Sequence, residues 1–252
     1  AGGDGPRHGP GACCRAGAHD VQAADPDSAD ATTLPAPGAP VSSVTFLLAA
    51  LRRATGGRGA AGPARLVLPA PGDVRGLPGP GVFSREATAA GEGVLFPDAG
   101  LGVVPTPIAD GVLRWTVYRV PEPGPPPEFV ALNQAERDLR DAVRQSTSVL
   151  TSLGVARHRP GVREEIAAAL RARPTALWPA GMPAQALRVL QQADEVEAIL
   201  AAASVDEPGG ALSAPAATAR REALRPIEMA VRVARRAAVA EAVRVLAASP
   251  LV

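Results

Sequence analysis

The sequence contains no lysine; all 26 basic residues are arginine. That absence excludes a Schiff-base nucleophile, a pyridoxal phosphate anchor, and the lysine of a P-loop or a kinase. Cysteine is nearly absent too. Cys13 and Cys14 are the only two, and they are adjacent. Vicinal cysteines cannot close a useful loop, so no disulfide framework is expected, and no thiol nucleophile or CxxC zinc site beyond the N-terminal region. Three histidines occur, and only His158 lies beyond the first forty residues. A multi-histidine metal site within one folded chain is therefore excluded. The spacing of His8, Cys13, Cys14 and His19 fits no zinc module, so no metal is expected. His158 stands between Arg157 and Arg159, whose charges disfavour an imidazolium, and it is read as an exposed loop residue. No serine stands in a G-x-S-x-G setting. Aromatic residues make up 3% of the chain, so its core is built from alanine, valine and leucine. No apolar run approaches the roughly 18–20 residues that span a bilayer. No basic region followed by a hydrophobic stretch marks a secretory signal, and the expected location is the cytoplasm.

What is present is an alanine-, glycine- and proline-rich chain of 252 residues, 46% apolar, with a net charge of +1. The length suits one large domain or two small ones. The bias towards residues with GC-rich codons accounts for the arginine content without a functional cause. A balanced charge does not point to nucleic acid.

Residues 1–40 are about one-third glycine plus proline, with five aspartates and no hydrophobic period. Such a segment cannot bury enough apolar surface to offset its ordering entropy and reads as a disordered tail. Residues 41–120 read as a small α/β domain. Ser42 or Ser43 caps a helix carrying Phe46, Leu47, Leu48 and Leu51, which ends near Gly56. "ARLVLP" is a strand, and "FSREATAAG" is a short helix with Ser84 as its N-cap and Gly91 as its stop. "GVLFP", "LGVVPTPI" and "GVLRWTVYRV" follow as strands, separated by the hairpin signals "DAG" and "ADG". Leu113, Trp115 and Val117 alternate with Arg114, Thr116 and Tyr118, which predicts an antiparallel strand with one buried face. Pro105 and Pro107 relegate their strand to an edge or bend it.

"PEPGPPP", residues 121–127, is a proline-rich hinge. The rest, residues 128–252, reads as an antiparallel helical bundle. Leu132, Leu139, Val143 and Leu150 mark its first helix, residues 160–172 its second, and residues 183–204 its third. A last long helix, capped by Ser213, has a seam of Leu224, Ile227, Val231, Ala234, Ala238, Ala242 and Val245. Pro226 removes one backbone donor and is expected to kink it. The fold class is thus α+β: a short, mostly antiparallel sheet with helices, then a bundle.

Two features are candidate sites. The loop over residues 70–81 leaves a strand end and leads towards a helix. Gly72 and Gly76 permit close backbone approach, Arg75 offers a guanidinium fork to an anion, and Asp73 is a second polar contact. Four prolines between Pro69 and Pro80 remove the amides that a phosphate cradle needs, and Asp73 and Arg75 can pair with each other, so the loop also reads as a stiff surface turn. Asp73, Asp98 and Asp110 are the carboxylates of this domain; two of them converging would hold magnesium or divide acid and base roles. Asp98 and Asp110 read as turn residues. The second feature is the stripe Arg221, Arg225, Arg232 and Arg236 on the last helix. A basic helix tracks phosphates, but no aromatics interleave for base stacking. Asp194, Glu195 and Glu197 on the preceding helix are expected to pair with that stripe.

The stretch "LVLPAPGDVRGLPGPGVFSREA…GEGVLFPDAGLG", Leu66 to Gly102, resembles uncharacterised proteins of GC-rich actinobacteria. That resemblance implies no activity, cofactor or site residue. The function expected from the residues is that of a non-catalytic interaction or regulatory protein acting through helical surfaces, by self-association or with a protein partner, and without cofactor or membrane. The alternative is a small-anion binding protein or carboxylate-type enzyme using the loop over residues 70–81. The second alternative is nucleic-acid binding through the arginine stripe.

Overall fold

The computed structural model describes residues 19–23, 64–109, 112–152, 161–172, 178–204 and 214–248. The chain divides into two compact units. One comprises Ala1–Pro127 with Thr175–Leu177 and Leu246–Val252; the other comprises Glu128–Pro174 and Trp178–Val245. The helix expected over residues 42–56, His158, Asp110, Ser213 and most of residues 1–40 lie outside the described residues.

The first unit is built on a sheet. Its strands are β1 (His19–Ala23), β2 (Arg65–Val67), β3 (Gly93–Phe96), β4 (Leu101–Ala109) and β5 (Val112–Arg119). Their spatial order is β1-β5-β4-β3-β2. The four strands β2 to β5 pair antiparallel, and β1 joins β5 in parallel. The tail composition over residues 1–40 does not anticipate β1, because the polar–apolar alternation of Asp20–Ala23 is short and Val21 is its only strong strand former.

β4 is central rather than an edge strand, and the reason its two prolines are tolerated lies in the register. Val120 N–H donates to the Gly100 carbonyl at 2.6 Å. Carried along the register from Leu101↔Arg119 to Pro107↔Leu113, this makes the even-numbered residues of β4 the ones that bond β5. The odd-numbered residues therefore turn their backbone groups towards β3. β3 pairs only with Leu101–Val103, so Pro105 and Pro107 lie past its end. Their missing N–H groups fall where β4 has no neighbour on that side, which is the position proline occupies in sheets.

Helix α1 (Val82–Ala90) covers one face of the sheet with Phe83 and Ala87. Phe83 packs with Val67, Leu95, Val104 and Val120 and meets Tyr118 edge-on, ring centroids 6.3 Å apart. Its ring lies directly on the sheet backbone, since a Cβ placed on Gly102 would sit 2.4 Å from it. Glycine here is a packing requirement. The opposite face carries its own buried pair, Val103 and Val117, with Phe96, Leu101 and Trp115 against them. β5 buries Leu113 and Val117 on one face, as its alternation predicts, while Tyr118 on the other face is partly buried against the cluster beneath α1.

Ser84 does not cap α1. The helix starts at Val82 behind Gly81 with no side-chain cap, and Ser84 Oγ instead donates to the carbonyls of Gly79 at 2.9 Å and Pro78 at 3.2 Å. Gly91, with φ 78°, ends the helix in the left-handed conformation expected of it. "DAG" forms a short 3-10 turn, Pro97–Ala99, closed by Gly100 N–H on the Pro97 carbonyl.

The second unit is an antiparallel bundle of α2 (Leu132–Ser152), α3 (Val162–Ala172), α4 (Ala184–Ser204) and α5 (Ala214–Ala248). Its core joins Leu139 of α2 to Ala186, Val189, Leu190 and Ala193 of α4 and to Ile227, Val231, Ala234, Ala238 and Ala242 of α5. The alanine seam is fully buried at Ala234 and Ala238. Small side chains let helix backbones approach closely, which is how an aromatic-poor chain fills a core. α5 continues through Pro226, whose side chain is exposed. The outer face of α2 is laced by pairs at helical spacing: Arg140 with Glu136, Arg144 with Asp141, and Gln134 with Asp138.

Candidate functional site

The proline- and glycine-rich segment after β2 folds as two successive turns. Ala70 and Asp73 exchange both backbone hydrogen bonds, at 2.8 and 2.9 Å, around Pro71 and Gly72. Leu77 N–H then donates to the Val74 carbonyl at 3.1 Å around Arg75 and Gly76. Gly72 and Gly76 each hold the third turn position, with φ 79° and 86°. That conformation needs glycine, and in the first turn Pro71 before Gly72 is the companion of the same turn type. Both glycines are thus accounted for by local backbone geometry.

The two charged residues of the loop bind each other. Arg75 Nε donates to Asp73 Oδ1 at 2.7 Å and Arg75 Nη2 to Oδ2 at 2.7 Å, a bidentate pair. The Arg75 amide adds a longer bond to Oδ1 at 3.3 Å. The carboxylate is buried and the guanidinium is 57% exposed. A fork satisfied on one edge by its own loop is a clamp across two turns. An incoming anion has to compete with Asp73 for it. Gly79 and Gly81 differ from the turn glycines: neither has a left-handed φ, and open space lies where a Cβ would stand. Asp98 is exposed in the β3–β4 turn. Among the described residues no three His, Cys, Asp or Glu side chains gather as a metal-binding group.

On α5 the arginines divide in a way the sequence does not display. Arg221 and Arg225 are exposed, whereas Arg232 and Arg236 are half-buried. Arg235, outside the predicted stripe, pairs with Asp194 and Glu197. It is buried and donates from Nη2 to Asp194 Oδ1 at 2.9 Å and from Nη1 to Glu197 Oε1 at 3.0 Å. Asp194 and Glu197 lie one turn apart on α4, so one guanidinium spans both. The signal for Arg235 was present, since it lies four residues after Val231 and three before Ala238, on the flank of the seam. Counting arginines on the most regular stripe passes over it.

Among the described residues of the helical unit, the large apolar side chains that remain exposed are Phe129, Val149, Ile199 and Met229. Phe129, just before α2, is 81% exposed.

No helix among the described residues is long and apolar enough to cross a membrane. Residues 11–131 match the family model of the Rv1486c-like protein, N-terminal domain, and residues 133–237 that of the Rv1486c-like protein, C-terminal domain. The Uncharacterized protein Rv1486c of Mycobacterium tuberculosis (strain ATCC 25618 / H37Rv) is 36% identical over 246 residues, covering 87% of this chain and 84% of the relative. The Uncharacterized protein MAV321 of Mycobacterium avium is 33% identical over 261 residues, 87% and 85% of the two chains. The Uncharacterized protein ML1804 of Mycobacterium leprae (strain TN) is 30% identical over 253 residues, 87% and 84%. The likeness read from Leu66–Gly102 therefore extends over most of the chain, to actinobacterial relatives. No solved structure matches the chain.

Proposed function

We propose that this chain, which belongs to the Rv1486c-like protein family, is a non-catalytic interaction protein of the cytoplasm that acts through its helical unit. The observation that carries this reading is Phe129, an aromatic ring 81% exposed at the entry to α2 in a chain with only four phenylalanines. Large aromatic side chains are the residues that anchor protein interfaces when they enter a pocket on the partner. Val149 on α2, Ile199 on α4 and Met229 on α5 add exposed apolar area on the same unit. The pairing of Arg75 with Asp73 supports a structural role for the loop over residues 70–81 and leaves the small-ligand reading as the weaker one.

The test compares the parent with Phe129→Ala, Ile199→Asp and Arg75→Ala in two assays. In the first, chemical cross-linking identifies what the purified protein and the protein in native lysate bind. In the second, thermal melts are recorded with and without a metabolite library. The expected result is a defined partner, or a second copy, whose cross-links to the helical unit vanish in Phe129→Ala or Ile199→Asp at unchanged melting temperature. A metabolite that raises the parent's melting temperature, an effect lost in Arg75→Ala, would replace this reading by small-ligand binding.

A further inference from the structure

Taken without β1, the antiparallel strands β2 to β5 present three stretches of edge among the described residues, and two of them protect themselves. β2 is only three residues long, and short edge strands template poorly. The overhang of β4 beyond β3 carries Pro105 and Pro107, which offer no N–H on that side. The third stretch is the outer edge of β5, eight residues, "VLRWTVYR", without proline. Because the even-numbered residues of β4 and β5 bond one another, Leu113, Trp115, Val117 and Arg119 turn their N–H and C=O groups outward. The first three lie opposite His19, Val21 and Ala23 of β1. An alternating, β-branched and aromatic strand edge is a template for adding another strand, and β1 takes that place here.

We infer that the outer edge of β5 is a strand-acceptor site, that its occupant is the chain's own His19–Ala23 segment, and that vacating it makes the protein associate through β5. Three properties make the occupant detachable. It is five residues long, it pairs in parallel, which is slightly less stable per residue, and 41 residues, 24–64, separate it from β2 in the chain. In this register the parallel ladder runs from Trp115 to the carbonyl of Asp20 and the N–H of Gln22. Asp20 and Gln22 are therefore the β1 residues whose N–H groups serve β5.

The experiment is residue-resolved amide hydrogen exchange on the full chain, parent and Asp20→Pro/Gln22→Pro. In the parent, the outward amides of Leu113, Trp115 and Val117 are expected to be protected. In the variant their protection falls about tenfold or more, while the inward amides of Arg114, Thr116 and Tyr118, bonded to β4, keep theirs as an internal reference. Light scattering is expected to show the variant associating as its concentration rises. Outward amides that exchange freely in the parent overturn the proposal, whatever the variant does. So does equal protection in parent and variant, or a variant that opens the edge yet stays monomeric at every concentration. Outward protection in the parent that fades on dilution assigns the strand to a second copy and overturns the intramolecular assignment.

Discussion

Tyr118 is the chain's single tyrosine, so its phenol can be followed by ultraviolet absorbance without interference from another. Burial pushes its pKa above the ordinary value of 10.0, the nearby Glu86 carboxylate adds to the rise, and a hydrogen bond with Thr116 partly opposes it. The sign for stability follows. The folded state holds the protonated phenol more tightly than the unfolded chain does. The associated stability is fully present below pH 10.0 and is lost as pH rises through the higher folded value. Absorbance titration of the native protein is expected to show a midpoint above that of the urea-unfolded chain, and Tyr118→Phe is expected to flatten the alkaline fall in stability. Coincident midpoints would show that the phenol is not sequestered against Phe83. The other residue with a large expected effect is Arg235. Its removal leaves Asp194 and Glu197 without the cation that spans them, and truncating one partner of a buried ion group costs about 3–5 kcal/mol. Arg235→Ala is expected to lose stability on that scale in urea melts. Arg235→Met combined with Asp194→Ala and Glu197→Met is expected to recover most of it, because apolar replacement of a buried charge group is often neutral. A triple variant no more stable than Arg235→Ala would show that packing of the arginine stem, not charge pairing, is what was lost.

At the scale of elements, the contact between α1 and the sheet is the most sharply determined in the sheet unit. A methyl group at Gly102 would stand 2.4 Å from the Phe83 ring, too close for any relaxation short of moving the ring. Gly102→Ala is expected to destabilise by about 1–3 kcal/mol, the usual cost of overpacking. In a double-mutant cycle with Phe83→Leu, part of that cost should disappear, since the clash is with the ring; strict additivity would place the strain elsewhere. Nothing in the sequence marks Gly102 apart from its neighbours, because a glycine inside a strand signals only that some close approach occurs there. The elements themselves were legible. Turn residues at "DAG" and Gly91 bounded β3, β4 and α1, and the spacing of Leu139, Ile227, Val231 and Ala238 located α2 and α5 and their buried faces. Less legible was whatever depends on which strand lies beside which. The prolines of β4 mark an edge only over the part that β3 does not reach, and β1 depends on a pairing partner ninety-odd residues away in the chain. At the candidate site, the choice between clamp and binding fork turned on whether Asp73 and Arg75 face one another. A two-residue spacing allows that without requiring it.

Among the described residues, the two units build their cores in different ways. The sheet unit relies on Phe83, Leu95 and Val104 around an aromatic pair, and the helical unit on an alanine seam closed by aliphatic side chains. Each core is assembled from residues of its own unit, so each unit is expected to unfold with its own cooperativity. The chain has two tryptophans, and they fall one to a unit. Trp115 packs by Val103 and Val117 in the sheet, and Trp178 packs against the bundle core. Trp115→Phe therefore leaves fluorescence that reports the bundle, and Trp178→Phe leaves fluorescence that reports the sheet. On these two backgrounds Ala238→Glu, which places a carboxylate at a fully buried seam position, is expected to lower the urea midpoint seen by Trp178 by an amount corresponding to roughly 2–4 kcal/mol, while the midpoint seen by Trp115 stays within error. Gly102→Ala is expected to do the converse. If either substitution moves both midpoints equally, the units unfold as one cooperative body, and stability lost at the alanine seam is shared with the sheet. If Ala238→Glu moves neither, the seam that closes the bundle is not the packed interface that its burial describes.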